Sequence, residues 1–543
     1  MRTIFLIIIA TFPIILLGQN KDYKSYDKAY KFYQKKQYEK AINISLKLIQ
    51  KNKNWKEPYL LLSSIYYQKK DINKSADYLL MVYNEFNRKN IKGLEKIAQL
   101  YYRNGYYKKA HYYFNKVFKI DSIICDPKTS IYISNCSFAL NQIRDSIPLQ
   151  LTNLGGNINS EMSEYINLIS LNSDSIIITR NVEEKNSLPQ EDFYSSKKNN
   201  NNWSKVVPLS INTYQNEGAM TLSPDQSMCV YTACDRPNSL GSCDLYIRFF
   251  TNNNGWSREY NLGSEINSKY WETQPCFSSD GKYLYFVSNR PEGFGGKDIW
   301  RCQIFEREFT NLVNLGPNIN TKYNEVSPFL YPDNLSLYFS SDGHIGMGDY
   351  DLFVSKRNNS NTEWNIPENL GYPINTFKSE NSLIIASDGQ TAFISSDHSG
   401  YGKEDIFSFI LPNNIRSQKV SEIEIDIIQS KIGSEIILTD VTFPSNSYSL
   451  DTISFTQLDN LIKFLKNNPS VNIEIQGHTD NVGNEGDNLI LSQMRAESVL
   501  NYLLIKGVKN KLFSVGYGEA KPLKNNNTKK GRSYNRRTSF IIL

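Results

Sequence analysis

The chain has 543 residues, of which 40% are hydrophobic and 21% charged, and its formal net charge is +6. This composition is typical of a globular protein and argues against a disordered or fibrous chain. The length predicts about three or four domains, and the small net charge does not point to a nucleic-acid-binding protein. The only histidines are His111, His344, His398 and His478, so we expect no His-rich metal centre.

Residues 1–18 have the pattern of a secretory signal peptide. Arg2 precedes an apolar run of about 14 residues, which is shorter than the roughly 20 residues that a membrane-spanning helix needs. Pro13 would interrupt such a helix, and Gly18 offers a cleavage point before Gln19. An uncleaved N-terminal anchor is the alternative. Because Gln19 is not a cysteine, we expect no lipid attachment there, and no later segment is predicted to span a membrane.

Export would place the seven cysteines in an oxidising compartment. Their odd number leaves at least one of them unpaired or in an intermolecular bond. Cys229, Cys234 and Cys243 lie close enough in sequence for one local disulfide. No C-x-x-C pair occurs, which argues against zinc-ribbon and thioredoxin-like domains.

Charge is distributed unevenly along the chain. Between Lys21 and Asp121 there are 23 basic and 9 acidic residues, whereas acidic residues outnumber basic ones by nine over residues 122–543. This asymmetry indicates separate modules with separate partners. An acidic protein surface or an anionic envelope component would suit the basic part, and a solvated basic face is the alternative.

Residues 19–150 carry a helical pattern with an internal repeat. Apolar and aromatic residues recur three and four positions apart, and the segments QYEKA, INKSA and YYKKA end at Ala41, Ala76 and Ala110. Their separations of 35 and 34 residues match the period of tetratricopeptide (TPR) repeats, which this part resembles. The resemblance implies an all-α solenoid with a protein-binding groove and a capping helix near residues 129–142. A plain helical bundle is the alternative.

Residues 151–411 show short alternating strands with Gly, Pro and Asn turns, which indicate β-structure. A longer repeat runs through them, because asparagines that close LGGNIN-like motifs recur at intervals of 53, 55, 53 and 55 residues. Each unit continues with a turn aspartate, an apolar strand and a second aspartate before an apolar pair. The three sets of markers are Asn159, Asn212, Asn267, Asn320 and Asn375; Asp174, Asp225, Asp280, Asp333 and Asp388; and Asp192, Asp244, Asp298, Asp351 and Asp405.

These five copies resemble the WD-like blades of a β-propeller, of the kind found in periplasmic envelope proteins. The resemblance implies an all-β propeller of about five blades, and a sixth blade from flanking strands is the alternative. The aspartates lack the alternating ligand pattern of a calcium loop. We therefore expect them to accept hydrogen bonds from turn backbone, and we expect neither a metal nor a cofactor.

The C-terminal part has an α/β pattern over residues 434–543, preceded by a predicted linker over residues 412–433. Helices are predicted near residues 454–467 and 488–506, with strands around them. The stretches VNIEIQGHTDNVGNEGDNLILSQMRAESVLNYLL, GYGEAKP and NNTKKGRSYNRRTSF resemble the OmpA-like peptidoglycan-binding domain. The predicted chain is therefore multidomain, with a TPR solenoid, a propeller and an α/β OmpA-like domain.

A binding site is predicted around Asp480 and Arg495. Asp480 lies in a glycine-containing loop after a strand and Arg495 on the helix that follows, so that a carboxylate and a guanidinium can meet at one mouth. Such a pair suits a zwitterion, with an ammonium group on the aspartate and a carboxylate on the arginine. The resemblance implies that the two residues hold diaminopimelate of the peptidoglycan stem peptide. A structural salt bridge between them is the alternative.

The same resemblance adds four residues to the predicted site. Asn446 matches a further ligand-contacting position, and Thr479, Asn488 and Arg536 fall in family motifs that line or brace the pocket. The neighbouring His478 is not predicted to be catalytic, because no Ser or Cys nucleophile with a positioned base is apparent.

The order of the modules resembles PorE-like envelope proteins associated with type IX secretion, although the lipoprotein cysteine and a carboxypeptidase-regulatory-like domain are missing. The resemblance implies a non-enzymatic adaptor in the periplasm, associated with peptidoglycan and the outer membrane, that binds envelope or secretion-system proteins through its repeats. One alternative is a structural or sensory protein whose propeller binds a sugar or peptide. Another is a wall-acting hydrolase, which the lack of a G-x-S-x-G motif and of paired histidines disfavours.

Overall fold

The computed structural model describes residues 21–86, 90–123, 125–146, 148–182, 190–200, 202–251, 253, 255–359, 362–398, 400–417, 419–430, 433–469 and 471–543. The expected signal peptide, residues 1–18, lies outside them. The chain forms two compact units. The first comprises Met1–Leu149, Asp342–Asp351 and Asn369–Glu380, and the second comprises Gln150–Ser341, Leu352–Glu368 and Asn381–Leu543.

Helices make up most of the described part of the first unit. They are α1 (Lys21–Gln34), α2 (Tyr38–Lys51), α3 (Glu57–Gln68), α4 (Ile72–Phe86), α5 (Ile91–Tyr102), α6 (Tyr107–Ile120) and α7 (Thr129–Arg144). Helices that are neighbours along the chain are also packed together. Ala41, Ala76 and Ala110 are fully buried near the starts of α2, α4 and α6, where a small side chain allows helices to approach closely.

The turns before α2, α4 and α6 share a backbone conformation. Lys36, Lys70 and Gly105 all have φ in the left-handed region, at 56°, 60° and 76°. Glycine adopts this region without strain. At position 105 glycine is also needed for space, because a Cβ there would lie 2.9 Å from the ring of Phe377. The repeated sequence period therefore corresponds to a repeated turn.

The first unit also includes the segment Asp342–Asp351, which the helices hold by polar contacts. The hydroxyls of Tyr102 and Tyr107 donate to the carbonyls of Gly348 and Met347, at 3.1 and 3.0 Å. Lys128 and Asp342 form an ion pair of 2.7 Å. These contacts surround the Met347 side chain, which belongs to the hydrophobic core of α4–α7.

Short strands form the larger part of the second unit. They are β1 (Thr152–Asn153), β2 (Glu164–Ile169), β3 (Ser175–Val182), β4 (Gln190–Asn199), β5 (Asn202–Trp203), β6 (Val207–Pro208), β7 (Glu217–Leu222), β8 (Met228–Cys234), β9 (Cys243–Thr251), β10 (Gly255–Trp256), β11 (Tyr260–Asn261), β12 (Glu272–Phe277), β13 (Tyr283–Ser288), β14 (Asp298–Phe305), β15 (Glu308–Asn314), β16 (Glu325–Leu330), β17 (Ser336–Ser341), β18 (Asp351–Lys356), β19 (Glu368–Asn369), β20 (Glu380–Ile385), β21 (Thr391–Ser396) and β22 (Asp405–Ile410).

Among the described residues these strands form five sheets, which we number one to five from the N-terminus. Their orders are β2-β3-β4-β5, β7-β8-β9-β10, β12-β13-β14-β15, β16-β17-β18-β19 and β20-β21-β22-β1, with β6 and β11 added to β4 and β9. In the first four sheets the four strands of each order follow one another along the chain. In the fifth sheet the fourth strand is β1, which pairs with β22, Thr152 lying opposite Ser408. The start and the end of the five-sheet region thus meet in one sheet.

The first strand of every sheet lines one cavity of about 150 Å³. Among its walls are Tyr165, Ala219, Gln274, Ser327 and Ser382, from β2, β7, β12, β16 and β20. The last four of these residues have positive φ. The same strands therefore face one another across a common centre.

A glutamate opens the first strand of each sheet and is fully buried. It stands five residues after each marker asparagine and accepts a hydrogen bond from a hydroxyl four residues earlier, as Ser268 donates to Glu272 at 2.7 Å. The set comprises Glu164, Glu217, Glu272, Glu325 and Glu380. Sequence inspection missed this marker, although its spacing is as regular as that of the asparagines.

Most of the marker aspartates accept hydrogen bonds from backbone amides, as expected, whereas Asp174 accepts from the side chains of Ser170 and Asn172. Asp244 accepts from the amides of Leu240 and Gly241 at 2.7 and 3.0 Å, and Asp405 does the same for Tyr401 and Gly402. Within the described residues there is no group of three or more His, Cys, Asp or Glu side chains that could hold a metal ion.

One disulfide links Cys234 to Cys243 in the second sheet. It joins two residues that lie opposite each other on β8 and β9. Cys229, the third member of the expected local cluster, is a buried free thiol. The sequence prediction of one local disulfide in this cluster is confirmed.

The C-terminal domain carries helices on a mixed sheet. Its elements are α8 (Glu422–Gln429), β23 (Glu435–Ile437), α9 (Ser454–Asn467), β24 (Ile473–Gly477), α10 (Glu485–Ile505), β25 (Leu512–Gly516), α11 (Lys529–Asn535) and β26 (Thr538–Ile542). The strand order is β23-β26-β24-β25. β24 runs parallel to β25 and antiparallel to β26, so the strands join by a helical crossover on one side of β24.

The segment predicted as a linker, residues 412–433, contains folded structure. Helix α8 lies in it, and Ser421 begins this helix with a capping box to Glu424. Ile423 and Ile427 are buried in the core of the C-terminal domain. Much of the expected linker is therefore a packed element, because Ile423 and Ile427, four residues apart, lie on one helical face.

In the part of the chain that the structure describes, no helix is both long and apolar enough to cross a membrane.

Candidate functional site

The predicted site lies where β24 ends and α10 begins. Asn484 caps α10, its side chain accepting from the amides of Gly486 and Asp487. The helix runs directly against the strand, since a Cβ at Gly477 would lie 2.1 Å from the Ser492 carbonyl. Close packing of strand and helix thus brings the loop that contains Asp480 towards the helical face that bears Arg495.

Asp480 is buried and held by two contacts. Its Oδ2 forms an ion pair with Nη1 of Arg536 at 2.5 Å, and its Oδ1 accepts from the amide of Val482 at 3.1 Å. The Arg536 side chain is 48% exposed. The carboxylate therefore faces a cation that is itself accessible to solvent.

Arg495 is also buried, but its described partners are main-chain carbonyls rather than a carboxylate. Its Nε donates to the Ser447 carbonyl at 2.9 Å and its Nη2 to the Pro444 carbonyl at 3.5 Å. The guanidinium lies over the ring of Phe443, 5.1 Å from its centroid. No described residue accepts a hydrogen bond from its Nη1. The guanidinium is therefore held in place, while its Nη1 donors remain available to a ligand.

The charges of Arg536 and Asp480 both act on Arg495, so the three charged groups lie near one another. Burial and the charge of Arg536 lower the pKa of Arg495, while the charge of Asp480 opposes that shift. Within the described residues Asp480 and Arg495 form no ion pair with each other. The structural salt bridge considered as an alternative is instead made by Asp480 and Arg536.

The other predicted residues surround this group. Asn446 lies exposed in the loop that supplies the carbonyls to Arg495, with φ at 52°. Asn488 donates to the Asp480 carbonyl at 3.2 Å and to Glu519 at 2.8 Å. Thr479 donates its amide to the Gly518 carbonyl at 2.8 Å. Asn488 and Thr479 are thus placed to brace the loop, and Asn446 to reach solvent.

His478 is buried beside the site and neutral at pH 7. Its ring stacks on Tyr517, with centroids 5.4 Å apart. Burial, followed by the charges of Arg537 and Lys521, lowers the pKa of His478 to about 4, although Glu435 opposes the shift from 3.5 Å. Glu435 is paired with Arg537 at 2.8 Å, so Arg537 braces the sheet while Arg536 faces the site.

Sequence reasoning missed the partners that orient Arg495. Phe443 and the carbonyls of Pro444 and Ser447 lie about 50 positions away in sequence, and carbonyls leave no residue-type signature. An aromatic residue before the Asn446 loop was the available signal, because a guanidinium stacks well on an aromatic ring.

A family model supports the assignment of this domain. Residues 442–536 match the OmpA family, and this range contains all six predicted site residues. The C-terminal domain is therefore an OmpA-like domain, as the sequence predicts.

Individual relatives match over a similar share of the chain. Outer membrane porin F of Pseudomonas fluorescens is 38% identical over 104 residues, which are 19% of this chain and 32% of that protein. The peptidoglycan-binding protein ArfA of Mycobacterium tuberculosis is 35% identical over 103 residues, again 19% and 32%. The chain thus spans about a third of the length of these curated relatives.

Among solved structures, the crystal structure of the peptidoglycan-associated lipoprotein from Burkholderia pseudomallei matches with 33% identity and a TM-score of 0.18. The match covers 19% of this chain and 88% of that chain.

Proposed function

We propose that this protein is a non-enzymatic cell-envelope adaptor that binds peptidoglycan through its OmpA-like domain. The observation that carries the proposal is the buried Arg495 guanidinium, held by main-chain carbonyls with Nη1 unused, beside the buried Asp480 carboxylate. The family match over residues 442–536 and the similarity to a protein named for peptidoglycan binding support it.

The ligand of this site is the diaminopimelate side chain of the stem peptide. Its terminal carboxylate binds Arg495, because a guanidinium with an open edge pairs with a carboxylate in fork geometry. Its ammonium group binds Asp480 and displaces Arg536, whose exposed side chain is free to turn. Arg536 then contributes a second positive charge to the ligand carboxylate. Asn446 reaches the ligand from the opposite loop, while Thr479 and Asn488 hold the Asp480 loop.

Sedimentation of the full chain with purified sacculi tests this assignment. Asp480→Ala and Arg495→Ala should each abolish co-sedimentation, and free diaminopimelate should compete with sacculi for the wild-type protein. Asp487→Ala, in the exposed first turn of α10, is the matched control and should bind normally. Undiminished binding by both site variants would refute the assignment, provided that circular dichroism shows them folded.

The helices of the first unit form a TPR solenoid in this proposal, and the five-sheet region forms a five-bladed propeller. The shared left-handed turns and buried alanines support the solenoid. The pairing of β1 with the last sheet and the cavity shared by all five first strands support the propeller. Both modules bind envelope or secretion-system proteins, and a type IX secretion context fits this order of modules. The protein is exported and acts in the periplasm, associated with peptidoglycan and the outer membrane.

Crosslinking in intact cells tests the adaptor role. A photoreactive residue at Tyr112, which is 61% exposed on α6, should capture a protein partner. A photoreactive residue at Ile505, exposed at the end of α10, serves as the control outside the proposed partner surface. Capture of no protein through the helices would contradict the adaptor role while leaving peptidoglycan binding untouched.

A second candidate role is that of a sensory protein whose propeller binds a sugar or peptide, and the central cavity of about 150 Å³ favours it. A soluble ligand that stabilises the chain against thermal unfolding, and loses this effect when Ala219 is enlarged to Leu, would support this role.

A further inference from the structure

A larger cavity, of about 370 Å³, lies between the fourth sheet and the C-terminal domain. Its walls come from the turn before β17, from the end of β18, from the segment after β22 and from α9. This volume falls in the range of small-molecule sites. It is separate from the Asp480 site, with which it shares no lining residue.

Basic side chains dominate the walls of this cavity, which we call the interdomain cavity. Five of its lining residues are basic and two are acidic. They are Lys356, Arg357, Arg416, Lys419 and Lys463 on the one hand, and Asp333 and Glu424 on the other.

Both acidic side chains are occupied by local hydrogen bonds. Asp333 accepts from the amides of Leu335 and Ser336 at 2.7 and 2.9 Å, and from the Ser336 hydroxyl at 2.9 Å. Glu424 accepts from the amide and the hydroxyl of Ser421, at 2.7 Å each. Neither forms an ion pair with a described residue, so these two carboxylates do not directly neutralise the basic side chains of the cavity.

The basic groups are of two kinds. Arg357 is held rigidly, since its Nε and Nη2 donate to the Asn334 carbonyl at 2.9 and 2.7 Å and its guanidinium lies 4.3 Å from the Trp364 ring centroid. Lys419 and Lys463 are exposed and make no ion pair or side-chain hydrogen bond with any described residue. The cavity therefore combines a fixed positive wall with two adaptable ammonium groups.

We propose that the interdomain cavity binds a phosphorylated small molecule. A phosphomonoester carries close to two negative charges and three acceptor oxygens, which matches several ammonium donors acting as point charges. Walls on the sheet, the connecting segment and α9 give it a concave shape, which suits a soluble ligand better than a membrane surface. The bound ligand contacts both the fourth sheet and α9, so it couples the five-sheet region to the C-terminal domain.

Isothermal titration calorimetry of the full chain tests this site with D-glucose 6-phosphate, inorganic phosphate and D-glucose. Both phosphorylated probes should bind and glucose should not, because the recognised group is the phosphate. Vesicles containing phosphatidylglycerol form a fourth arm and should not be bound through this cavity. The proposal would be overturned if neither glucose 6-phosphate nor inorganic phosphate bound to the chain. It would also be overturned if the chain bound only the vesicles that contain phosphatidylglycerol.

Variants locate the binding. The double substitution Lys419→Gln/Lys463→Gln should weaken binding of glucose 6-phosphate about tenfold or more, because each charge-assisted hydrogen bond contributes substantially. Lys466→Gln lies on α9 outside the cavity and should leave affinity unchanged. Equal affinities of the wild type and the double variant would refute the site, as would an equal loss in the control. All three proteins should sediment with sacculi alike, which separates this result from the peptidoglycan proposal.

Discussion

Buried arginines serve different purposes in the third sheet and in the OmpA-like domain. In the third sheet, Arg290 contacts the fully buried Glu272 at 3.1 Å and also donates to Ser288 and Ile266. In the OmpA-like domain, the described hydrogen-bond acceptors of Arg495 are main-chain carbonyls, and the nearby Asp480 is paired with a different arginine. An arginine paired with a buried carboxylate holds a sheet together, whereas a buried guanidinium without a carboxylate partner is prepared for a ligand.

Breaking the matched pair should have the largest effect on stability. Arg290→Met leaves the Glu272 carboxylate buried without a cation, which we expect to cost about 3–5 kcal/mol. Arg495→Met leaves two carbonyls without donors, and we expect about 1–3 kcal/mol together with loss of sacculus binding. Urea denaturation followed by circular dichroism measures both. A larger loss of stability at Arg495 than at Arg290 would contradict the comparison.

The fourth sheet offers the same buried glutamate without the arginine. Gly343 stands where the third sheet has Arg290, and the described residues that donate to Glu325 are Thr321 and Ser341. Burial raises the pKa of Glu325 from 4.5 to about 7. The folded state therefore prefers the protonated carboxyl, and its stability is fully present below pH 4.5 and falls as the pH rises through 7.

Glu325→Gln should remove this dependence on pH. We expect the wild type to lose about 3 kcal/mol between pH 4.5 and pH 8 through this group, and the variant to show a flatter profile in thermal unfolding. Glu272→Gln is the matched control, which should instead destabilise the chain across this range because it removes the partner of Arg290. Identical pH profiles for the wild type and Glu325→Gln would show that the missing arginine has no consequence.

A smaller effect of opposite sign is expected at His478. Because its pKa is lowered to about 4, its contribution to stability is present above pH 6.5 and is lost as the pH falls through 4. We expect about 1–3 kcal/mol, since the nearby Glu435 offsets part of the cost of protonation. His478→Phe retains an aromatic ring against Tyr517 and should reduce acid sensitivity in the same thermal assay. Unchanged acid sensitivity in that variant would place the acid response elsewhere.

The smallest effect should come from an exposed ion pair. Lys31 and Asp27 lie 2.7 Å apart on α1, with side chains 66% and 60% exposed. Solvent and salt screen such a pair, so Lys31→Ala should change stability by about 0.5 kcal/mol or less. A loss comparable to that at Arg290 would show that contact distance, rather than burial, decides the strength of these pairs.

The sequence predicts local elements well where periodicity is strong. Helix α9 has the bounds predicted for it, residues 454–467, while α10 begins at Glu485 instead of Asn488 because its cap, Asn484, lies earlier. Helix α8 was missed because its eight residues alternate apolar and acidic side chains, a pattern that a strand shares. The strand predicted before α9 is limited to β23, Glu435–Ile437, since pairing with β26 ends there.

The composition of the site was easier to predict than its pairings. The motif positions predict that Asp480, Arg495 and Arg536 lie in one region, because the strand, the loop and the helix are predicted in the correct order. Which arginine binds Asp480 depends on how the C-terminal segment returns to the sheet, and local sequence carries little of that information. The role of the six residues in binding peptidoglycan stays a prediction.

The pairing of β1 with β22 determines how mechanical load would pass through the chain. Thr152 and Ser408 are neighbours in the fifth sheet, so a pulling force between the N-terminal helices and the C-terminal domain enters and leaves the five-sheet region through adjacent strands. Tension along the chain is then borne by this short pair, whereas the contacts of the helices with Asp342–Asp351, which links β17 to β18, provide a second route through the fourth sheet. The pair is antiparallel, and the force acts on the same end of both strands. The hydrogen bonds between β1 and β22 would therefore break one after another in the unzipping geometry.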